Sequence, residues 1–291
     1  MESKKTIQNT EIFKAAMSGK DFARLSEFIH NECGIKMPPA KKTMLEARLL
    51  KRLRKLGFRS FTEYCDYVFS PEGAEHELVH MIDVVTTNKT DFFREPVHFE
   101  YLTRTALPEL IRRAGAGISK NLVIWSAGCS SGEEPYSLAI ALSEFAGQYP
   151  GFRFTVLATD ISTRMLEKAR TGIYEEERAD PVPMQLKCKY FLRSKDRSKG
   201  LVRIVPELRE MVKFRRLNFM DDDFGFREKL DIIFCRNVII YFDRPTQEAL
   251  INRFCRYLIP GGYVFMGHSE TLHGLDVPLV QAAPTIYRRP L

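Results

Sequence analysis

A short segment rich in glycine, serine and glutamate has the composition of a small-molecule site. Residues 125–136 read WSAGCSSGEEPY, an apolar stretch followed by a Gly/Ser loop, and Pro135 suits the first turn of a following helix. Gly128 and Gly132 would let the backbone approach a ligand closely. A strand, a loop and a helix in this order form the ligand-binding edge of open α/β sheets. A tight strand-to-helix turn that binds nothing would look the same.

The charges of this loop indicate which ligand would suit it. The loop lacks the G-x-G-x-x-G pattern of dinucleotide sites and places Glu133 and Glu134 at the helix start. Carboxylates there would repel a pyrophosphate, which a helix N-terminus otherwise attracts. They suit a ligand with an ammonium or sulfonium group, and S-adenosylmethionine has both and no phosphate. The loop therefore favours S-adenosylmethionine over a dinucleotide.

Polar residues also follow two other apolar runs. Asp160 ends RFTVLAT, where it could accept hydrogen bonds from ribose hydroxyls or cap a helix that begins near Ser162. Arg236 and Asn237 end LDIIFC abruptly and should line the same pocket. Tyr241 follows within reach of the rim, although a core tyrosine with a satisfied hydroxyl is an equally good interpretation.

A fourth candidate is the segment TTNKTDFFRE, residues 86–95, between two regions of different pattern. It is dense in hydrogen-bond donors and acceptors around two aromatic residues, and domain junctions often hold ligand sites. A capped helix start with a salt bridge from Arg94 would have the same composition. Composition alone leaves both interpretations open.

The elements that must position these residues fall into two regions. Residues 12–85 have apolar residues at helical spacing, for example Leu45, Leu49 and Leu53, and predict an all-helical domain. From about residue 120, β-branched runs alternate with helical stretches. This alternation predicts βαβ units and a largely parallel sheet covered on both faces.

The second region can be divided further. Residues 86–119 are predicted to be a linker with a connecting helix from Pro96 to Arg113. Residues 120–291 are predicted to form strands at 121–126, 153–159, 230–235 and 263–267, and helices at 133–145, 163–170 and 245–257. Three prolines and a polar loop interrupt the alternation over about 172–214, which predicts a small antiparallel insertion.

Composition limits the class of protein. The chain has 291 residues, of which 44% are hydrophobic and 28% charged, which is typical of globular proteins. Residues 1–10 lack the apolar core of a secretory signal, and no apolar run is long enough to span a bilayer. The six cysteines lie far apart without a C-x-x-C pair, so we expect neither a disulfide framework nor a metal site. A cytoplasmic location fits this cysteine usage.

Positive charge is concentrated near the N-terminus. The net charge is +7, and residues 1–60 alone hold 14 Lys/Arg against 6 Asp/Glu, which indicates a local acidic partner. In EARLLKRLRKLG a basic helix face lies beside a leucine stripe. The residues of this face are Arg48, Lys51, Arg52 and Lys55. The face is either simply solvated or a docking surface.

Six motifs, in this order and spacing, resemble the chemotaxis receptor methyltransferase family CheR. They are TTNKTDFFRE, AGCSSGEEPYSLA, ATDIS, EKARTGIY, FCRNVIIYFD and GHSE. The resemblance covers about residues 20–288. It implies an α/β, Rossmann-like class I S-adenosylmethionine-dependent methyltransferase with a mostly parallel sheet, an all-helical N-terminal domain and a small antiparallel β-subdomain insertion.

The resemblance also implies the reaction and the residues of the site. The methyl group of S-adenosylmethionine would pass to glutamate side chains of methyl-accepting chemotaxis receptors, leaving S-adenosylhomocysteine. Arg94 and Tyr241 correspond to the family's proposed active-site pair. The cofactor contacts, with Gly128 added from the loop, would be Asn88, Thr90, Arg94, Gly128, Glu134, Asp160, Asn218, Phe219, Arg236 and Asn237. The basic helix face would dock onto acidic receptor helices.

Other functions stay open at this point. The basic N-terminus is compatible with a methyltransferase acting on nucleic acid or on another protein, although residues 236–239 lack the N/D-P-P-Y pattern that stacks a flipped base. A cofactor-binding scaffold without activity is a further alternative. The loop at 193–200 is basic and lacks the extra glycines of relatives that tether a receptor peptide. We expect a monomer without nucleic-acid binding or membrane insertion.

Overall fold

The computed structural model describes residues 16–291 of the chain. The absence of a secretory signal, predicted from residues 1–10, and the predicted start of the helical domain at residues 12–15 lie outside the described residues. Between residues 16 and 291, no helix is both long enough and apolar enough to cross a membrane.

The chain forms two compact units. Of the described residues, the first unit comprises 16–29 together with Met37–Val85, and the second comprises His30–Lys36 together with Thr86–Leu291. Residues 30–36, which were predicted to belong to the helical domain, therefore belong to the second unit. Hydrogen bonds explain this correction, because the Lys36 N–H donates to the Tyr241 carbonyl (2.8 Å) and the Asn218 side chain donates to the Glu32 carbonyl (2.6 Å).

The first unit is helical, as predicted. Its helices are α1 (Gly19–Cys33, which runs on into the second unit), α2 (Lys42–Leu56), α3 (Phe61–Val68), α4 (Pro71–His76) and α5 (Leu78–Val85). The side chains of Ser60 and Ser70 cap α3 and α4 by accepting backbone N–H groups. Leu45, Leu49 and Leu53 are fully buried on one face of α2, which accounts for the leucine stripe.

The second unit begins with the predicted connecting helix. Helix α6 (Pro96–Tyr101) continues through a π-helical turn at Leu102–Ala106 into α7 (Leu107–Ala114). The wider turn lies directly before Pro108, which has no N–H to donate to the preceding turn. The remaining helices are α8 (Glu133–Ala146), α9 (Thr163–Thr171), α10 (Met184–Tyr190), α11 (Pro206–Glu210) and α12 (Arg244–Tyr257).

A seven-stranded sheet forms the centre of the second unit. The strands of the chain are β1 (Leu122–Ala127), β2 (Phe154–Asp160), β3 (Ile173–Glu175), β4 (Phe191–Arg193), β5 (Leu201–Ile204), β6 (Val212–Arg216), β7 (Leu230–Cys235), β8 (Leu258–Met266), β9 (Val280–Ala283) and β10 (Ile286–Arg288). The order is β6-β2-β1-β7-β8-β10-β9, with the first five strands parallel and the last two antiparallel. Every residue of β1 and β7 is buried, as a sheet covered on both faces requires.

Two predictions for this unit need correction. The insertion is a three-stranded antiparallel sheet, β3-β5-β4, but residues 212–214 do not belong to it. They begin β6, which pairs in parallel with β2 from Val156 to Asp160. The hairpin β9–β10 was not predicted, because its strands are short and the residues of β9 are mostly exposed.

Candidate active site

The candidate residues that follow three strands meet at one edge of the sheet. The loop at residues 128–132, here called the β1 loop, follows β1, Asp160 ends β2, and the turn at residues 236–239, here called the β7 turn, follows β7. The N–H groups of Gly128 and Cys129 both donate to the Thr159 carbonyl, at 2.8 and 2.9 Å. Since β2, β1 and β7 are adjacent and parallel, their carboxyl ends build a single edge.

The two glycines of the β1 loop are required by close packing within the protein. Gly128 has a φ of +85°, and a Cβ there would lie 2.6 Å from Cγ2 of Val238 in the β7 turn. Gly132 has a φ of +99°, and a Cβ there would lie 2.9 Å from the Ala169 Cβ. These contacts require glycine at both positions whether or not a ligand is bound, and the approach of a ligand to the backbone of the loop stays a prediction.

Asp160 holds the β1 loop through backbone hydrogen bonds. Its Oδ2 accepts the Ser130 N–H at 2.8 Å, and its Oδ1 accepts the Ser162 N–H at 2.9 Å. The N-cap of the next helix is Ser162, whose hydroxyl accepts the Met165 N–H, and Asp160 accepts the N–H of this N-cap residue. Asp160 is thus a buried carboxylate fixed at the end of the second strand.

Glu134 and Arg236 form a buried ion pair. The Arg236 Nε donates to Oε2 of Glu134 at 2.7 Å, and the Ser126 hydroxyl donates to Oε1 of Glu134 at 2.7 Å. Arg236 Nη1 donates to the Arg94 carbonyl at 2.5 Å. The two opposite charges neutralise each other. Through these hydrogen bonds, the pair connects β1, α8, the β7 turn and the segment at 86–95.

Aromatic rings and an imidazole also surround Arg236. Its guanidinium lies 5.5 Å from the ring centroids of both Phe99 and Phe234. Its Nη1 lies 3.4 Å from Nδ1 of His98, whose Nε2 lies 2.9 Å from the Thr285 hydroxyl. Burial, followed by the charge of Arg236, lowers the pKa of His98 to about 4. The imidazole is therefore neutral at pH 7.

Three possible metal ligands lie in the same place. Among residues 16–291, side-chain atoms of Glu95, His98 and His268 approach one another within 4.8 Å. Arg236 Nη1 lies 3.5 Å from Oε2 of Glu95. A guanidinium so close to the ligand atoms would repel a cation, so we assign these groups to the hydrogen-bond network of Arg236.

The segment at 86–95 lies against the β1 loop and α8. The Ser130 hydroxyl donates to the Asn88 carbonyl at 3.0 Å, and the Phe93 N–H donates to the Ser137 hydroxyl at 2.9 Å. Thr90 is buried. Arg94 is half-buried, and its Nη1 donates only weakly to the Lys89 carbonyl at 3.3 Å.

An arginine of the insertion, which was not among the predicted site residues, fixes this segment. Arg178 Nη2 donates to the Thr90 carbonyl and to Oε1 of Glu133, both at 2.6 Å. Its Nη1 lies 3.4 Å from the Asp91 carboxylate. Glu133 is therefore neutralised within the protein, as Glu134 is. No sequence motif marks Arg178, because its partners are 45 residues or more away in the chain.

Asn218 and Phe219 lie where β6 ends beside Asp160. The Leu217 N–H donates to the Asp160 carbonyl at 3.1 Å, which brings the following residue to the same edge. Phe219 is partly buried against the rings of Trp125 (6.1 Å) and Phe254 (5.8 Å).

The last residue of the β7 turn, Ile239, begins a short helical turn that runs to Tyr241. Asn237 has a φ of +61°, and Tyr241 is half-buried. The Glu270 carboxylate accepts N–H groups of this turn. Glu270 belongs to the GHSE motif, but no local pattern singles it out as a site residue.

The proposed docking face of α2 is only partly exposed. Arg52 forms an ion pair with the buried Glu77, and Arg48 donates to the Val85 carbonyl. Lys51 and Lys55 are exposed, as is Arg54, which was not predicted. Two of the four predicted docking residues therefore stabilise the helical unit itself.

A parallel sheet with a ligand-type loop after β1, an acidic residue ending β2 and polar residues after β7 defines the class I methyltransferase fold. Comparison with known families gives the membership. Residues 88–285 match the family described as "CheR methyltransferase, SAM binding domain", and residues 20–86 match "CheR methyltransferase, all-alpha domain". The chain belongs to the CheR methyltransferase family and is an S-adenosylmethionine-dependent methyltransferase of chemotaxis.

Named relatives match over nearly their whole length. The "Chemotaxis protein methyltransferase" of Borreliella burgdorferi is 40% identical over 98% of this chain and 99% of its own. That of Escherichia coli strain K12 is 40% identical over 97% of this chain and 94% of its own. "Chemotaxis protein methyltransferase 2" of Pseudomonas aeruginosa is 41% identical over 92% of both chains.

Proposed function

We propose that this methyltransferase esterifies glutamate side chains on the cytoplasmic helices of chemotaxis receptors. The observation that supports this most is the meeting of the β1 loop, Asp160 and the β7 turn at one sheet edge, in a chain of the CheR family. Such an edge suits a nucleoside, because a carboxylate that ends the second strand can accept hydrogen bonds from ribose hydroxyls.

The residues proposed to hold S-adenosylmethionine fit its chemistry. Asp160, fixed at the end of β2, is the carboxylate assigned to the ribose hydroxyls. The other proposed contacts are Asn88, Thr90, Arg94, Gly128, Asn218, Phe219 and Asn237. Glu134 and Arg236 are assigned a supporting role, because each is buried and satisfied by the other.

The reaction needs alignment more than proton transfer. The bound S-adenosylmethionine supplies an electrophilic methyl group, which a carboxylate oxygen takes as the carbon–sulfur bond breaks. A glutamate side chain has a usual pKa of about 4.3, so the nucleophile is already ionised at neutral pH. His98, the buried imidazole beside Arg236, is engaged at both ring nitrogens and is not needed as a base.

Arg94 and Tyr241 are the side chains proposed to orient the substrate. Arg94 is half-buried and makes one long hydrogen bond, so guanidinium donors remain for a two-pronged contact with a carboxylate. Tyr241 is half-buried at the end of the β7 turn, where its hydroxyl would hydrogen-bond near the transferring methyl group. The residues thereby exclude water and fix the angle of attack.

The decisive experiment is transfer of a labelled methyl group to receptor signalling domains. We expect label on the receptor that mild base releases as methanol, which distinguishes an ester from an N-methyl group. A receptor domain with its methyl-accepting glutamates changed to alanine is the matched substrate control. Labelling of RNA or DNA instead, or label that resists base, would refute the proposal.

Docking is proposed for the exposed residues Lys51, Arg54 and Lys55 of α2. Exposed charges steer an acidic partner and are screened by salt, so the KM for the receptor should rise with ionic strength. The double variant Lys51→Glu/Lys55→Glu should raise that KM and leave the KM for S-adenosylmethionine unchanged. An unchanged receptor KM would disprove docking through this face.

A further inference from the structure

Glu270 is a buried carboxylate that collects four backbone N–H groups. Its Oε2 accepts from Asn237 and Gly267, both at 2.7 Å, and its Oε1 accepts from Val238 and Ile239, at 2.8 and 2.9 Å. The residue is 3% exposed. Three of the four donors are consecutive residues of the β7 turn, which bind the carboxylate as an anion-binding nest.

This carboxylate connects two neighbouring strands at the edge that forms the site. Gly267 directly follows β8, the β7 turn directly follows β7, and the two strands are parallel partners. The conformation that it holds is otherwise unfavourable, because Asn237 has a left-handed backbone with a φ of +61°. Without the carboxylate, the N–H groups of Asn237, Val238 and Ile239 would lose the acceptor that they share, at a cost in free energy.

Space around the carboxylate is as restricted as its hydrogen bonding. A Cβ on Gly267 would lie 2.8 Å from Oε2 of Glu270 and 2.6 Å from the Asn237 side-chain nitrogen. The glycine therefore allows both the carboxylate and Asn237 to lie against the end of β8. Because the Glu270 carboxylate accepts the N–H groups of Asn237 and Ile239, it fixes the backbone that carries the Asn237 side chain and begins the helical turn with Tyr241.

We propose that Glu270 is a positioning residue, whose carboxylate sets the β7 turn so that Asn237 meets the cofactor and Tyr241 meets the substrate. This inference rests on the proposed function for the roles of Asn237 and Tyr241. It assigns Glu270 no contact with either reactant. Its effect on turnover is exerted entirely through the backbone of residues 237–239.

The test exploits the way in which the two oxygens share the four donors. In Glu270→Gln, either orientation of the amide turns its NH₂ group toward two N–H donors, so two hydrogen bonds are lost and replaced by repulsion. We expect at least a tenfold rise in the KM for S-adenosylmethionine, a similar rise in the calorimetric Kd for S-adenosylhomocysteine, and at least a tenfold fall in kcat. The KM for the receptor domain should stay within twofold of wild type, because docking is proposed for α2, whereas Tyr241 is proposed to act near the transferring methyl group and so to affect kcat.

The matched control is Glu248→Gln on α12. Glu248 also accepts a backbone N–H, that of Asp276 at 2.9 Å, but this hydrogen bond is exposed to solvent and lies outside the site. Its kinetic constants should stay within twofold of wild type. Partial unfolding of Glu270→Gln would lower kcat without moving either KM, so the selective rise in one KM separates positioning from stability.

If Glu270→Gln does not fold, the same measurements can be made on Glu270→Asp. It keeps the charge but withdraws the carboxylate by one CH₂ group, so the KM for S-adenosylmethionine should again rise. A KM and kcat within twofold of wild type in either folded variant would overturn the inference. If the wild-type protein fails to methylate receptors, the proposed function falls, whereas the difference in S-adenosylhomocysteine affinity still tests Glu270.

Discussion

The β1 loop and the β7 turn lie at the same sheet edge but are held by different interactions. The β1 loop depends on space and backbone hydrogen bonds, since Gly128 touches Val238 and donates to the Thr159 carbonyl. The β7 turn depends on buried charge, since Glu270 binds its backbone and Glu134 binds the side chain of Arg236. Substitutions that change side-chain volume should therefore disturb the β1 loop most, and changes of charge or pH should have larger effects on the β7 turn than on the β1 loop.

The largest effect is expected from Arg236→Met in the β7 turn. This change leaves Glu134 buried without its partner, which should lower the free energy of unfolding by about 3–5 kcal/mol in denaturant titrations. The double variant Arg236→Met/Glu134→Gln removes the unpaired charge and keeps an acceptor for Ser126. It should recover at least about 1 kcal/mol. Strict additivity of the two single changes would show that the pair is not coupled.

Acid should lower the stability of the folded protein by protonating His98, which lies beside Arg236 of the β7 turn. Its pKa in the folded protein is about 4, below the usual value of about 6.5, so between these values the unfolded chain binds a proton that the folded chain does not. The free energy of unfolding should thus fall, by at most about 3 kcal/mol, as the pH drops from 6.5 to 4. His98→Gln should flatten this slope, whereas the exposed control His273→Gln should keep it. Equal slopes in both variants would contradict the assignment.

The variant Gly128→Ala tests whether the β1 loop has room for a Cβ. Both the left-handed φ of +85° and the 2.6 Å approach of Val238 oppose a Cβ, so we expect a loss of about 2 kcal/mol in stability. Gly151→Ala is the control, because Gly151 has a similar φ of +83° and open space around it. It should lose about 1 kcal/mol from backbone strain alone. If the two variants are equally stable, the contact with Val238 contributes nothing.

The smallest effect is expected from Asp160→Asn. The amide can accept only one of the two backbone N–H groups, so the loop should loosen and S-adenosylhomocysteine should bind about tenfold more weakly by calorimetry, which corresponds to about 1.4 kcal/mol. Asp196→Asn is the control, because that exposed carboxylate also accepts an N–H two residues further on, without being near the site. Unchanged affinity for Asp160→Asn would remove Asp160 from the binding site.

Local sequence signals were sufficient for the β1 loop and the strands. The apolar runs at β1 and β7 and the break at Arg236–Asn237 predicted the edge to within a residue, because fully buried parallel strands are continuously apolar. The structure adds a second reason for the glycines, which the sequence did not indicate. Their contacts are with Val238 and Ala169, which are distant in sequence, and no local pattern shows such contacts.

Partners distant in the chain account for most of what was missed. Glu270 acts on residues about 30 positions earlier, and Arg178 acts on Thr90 and Glu133 from within the insertion. Strand β6 was assigned to the insertion because Pro206 and a five-residue helix hid the return to the main sheet. In α2 the helical spacing was right, but only the fold shows that Arg52 faces Glu77.

Residues 30–36 belong to the second unit although the residues on both sides of them belong to the first. The chain therefore enters the second unit twice, at His30 and at Thr86. A shortened chain that begins at Thr86 would keep every strand of the sheet, yet it would lack the carbonyl of Glu32 that receives the Asn218 amide and the N–H of Lys36 that reaches Tyr241. Removal of all residues before Thr86 would therefore also take away backbone partners of Asn218 and Tyr241, two of the residues proposed to form the site.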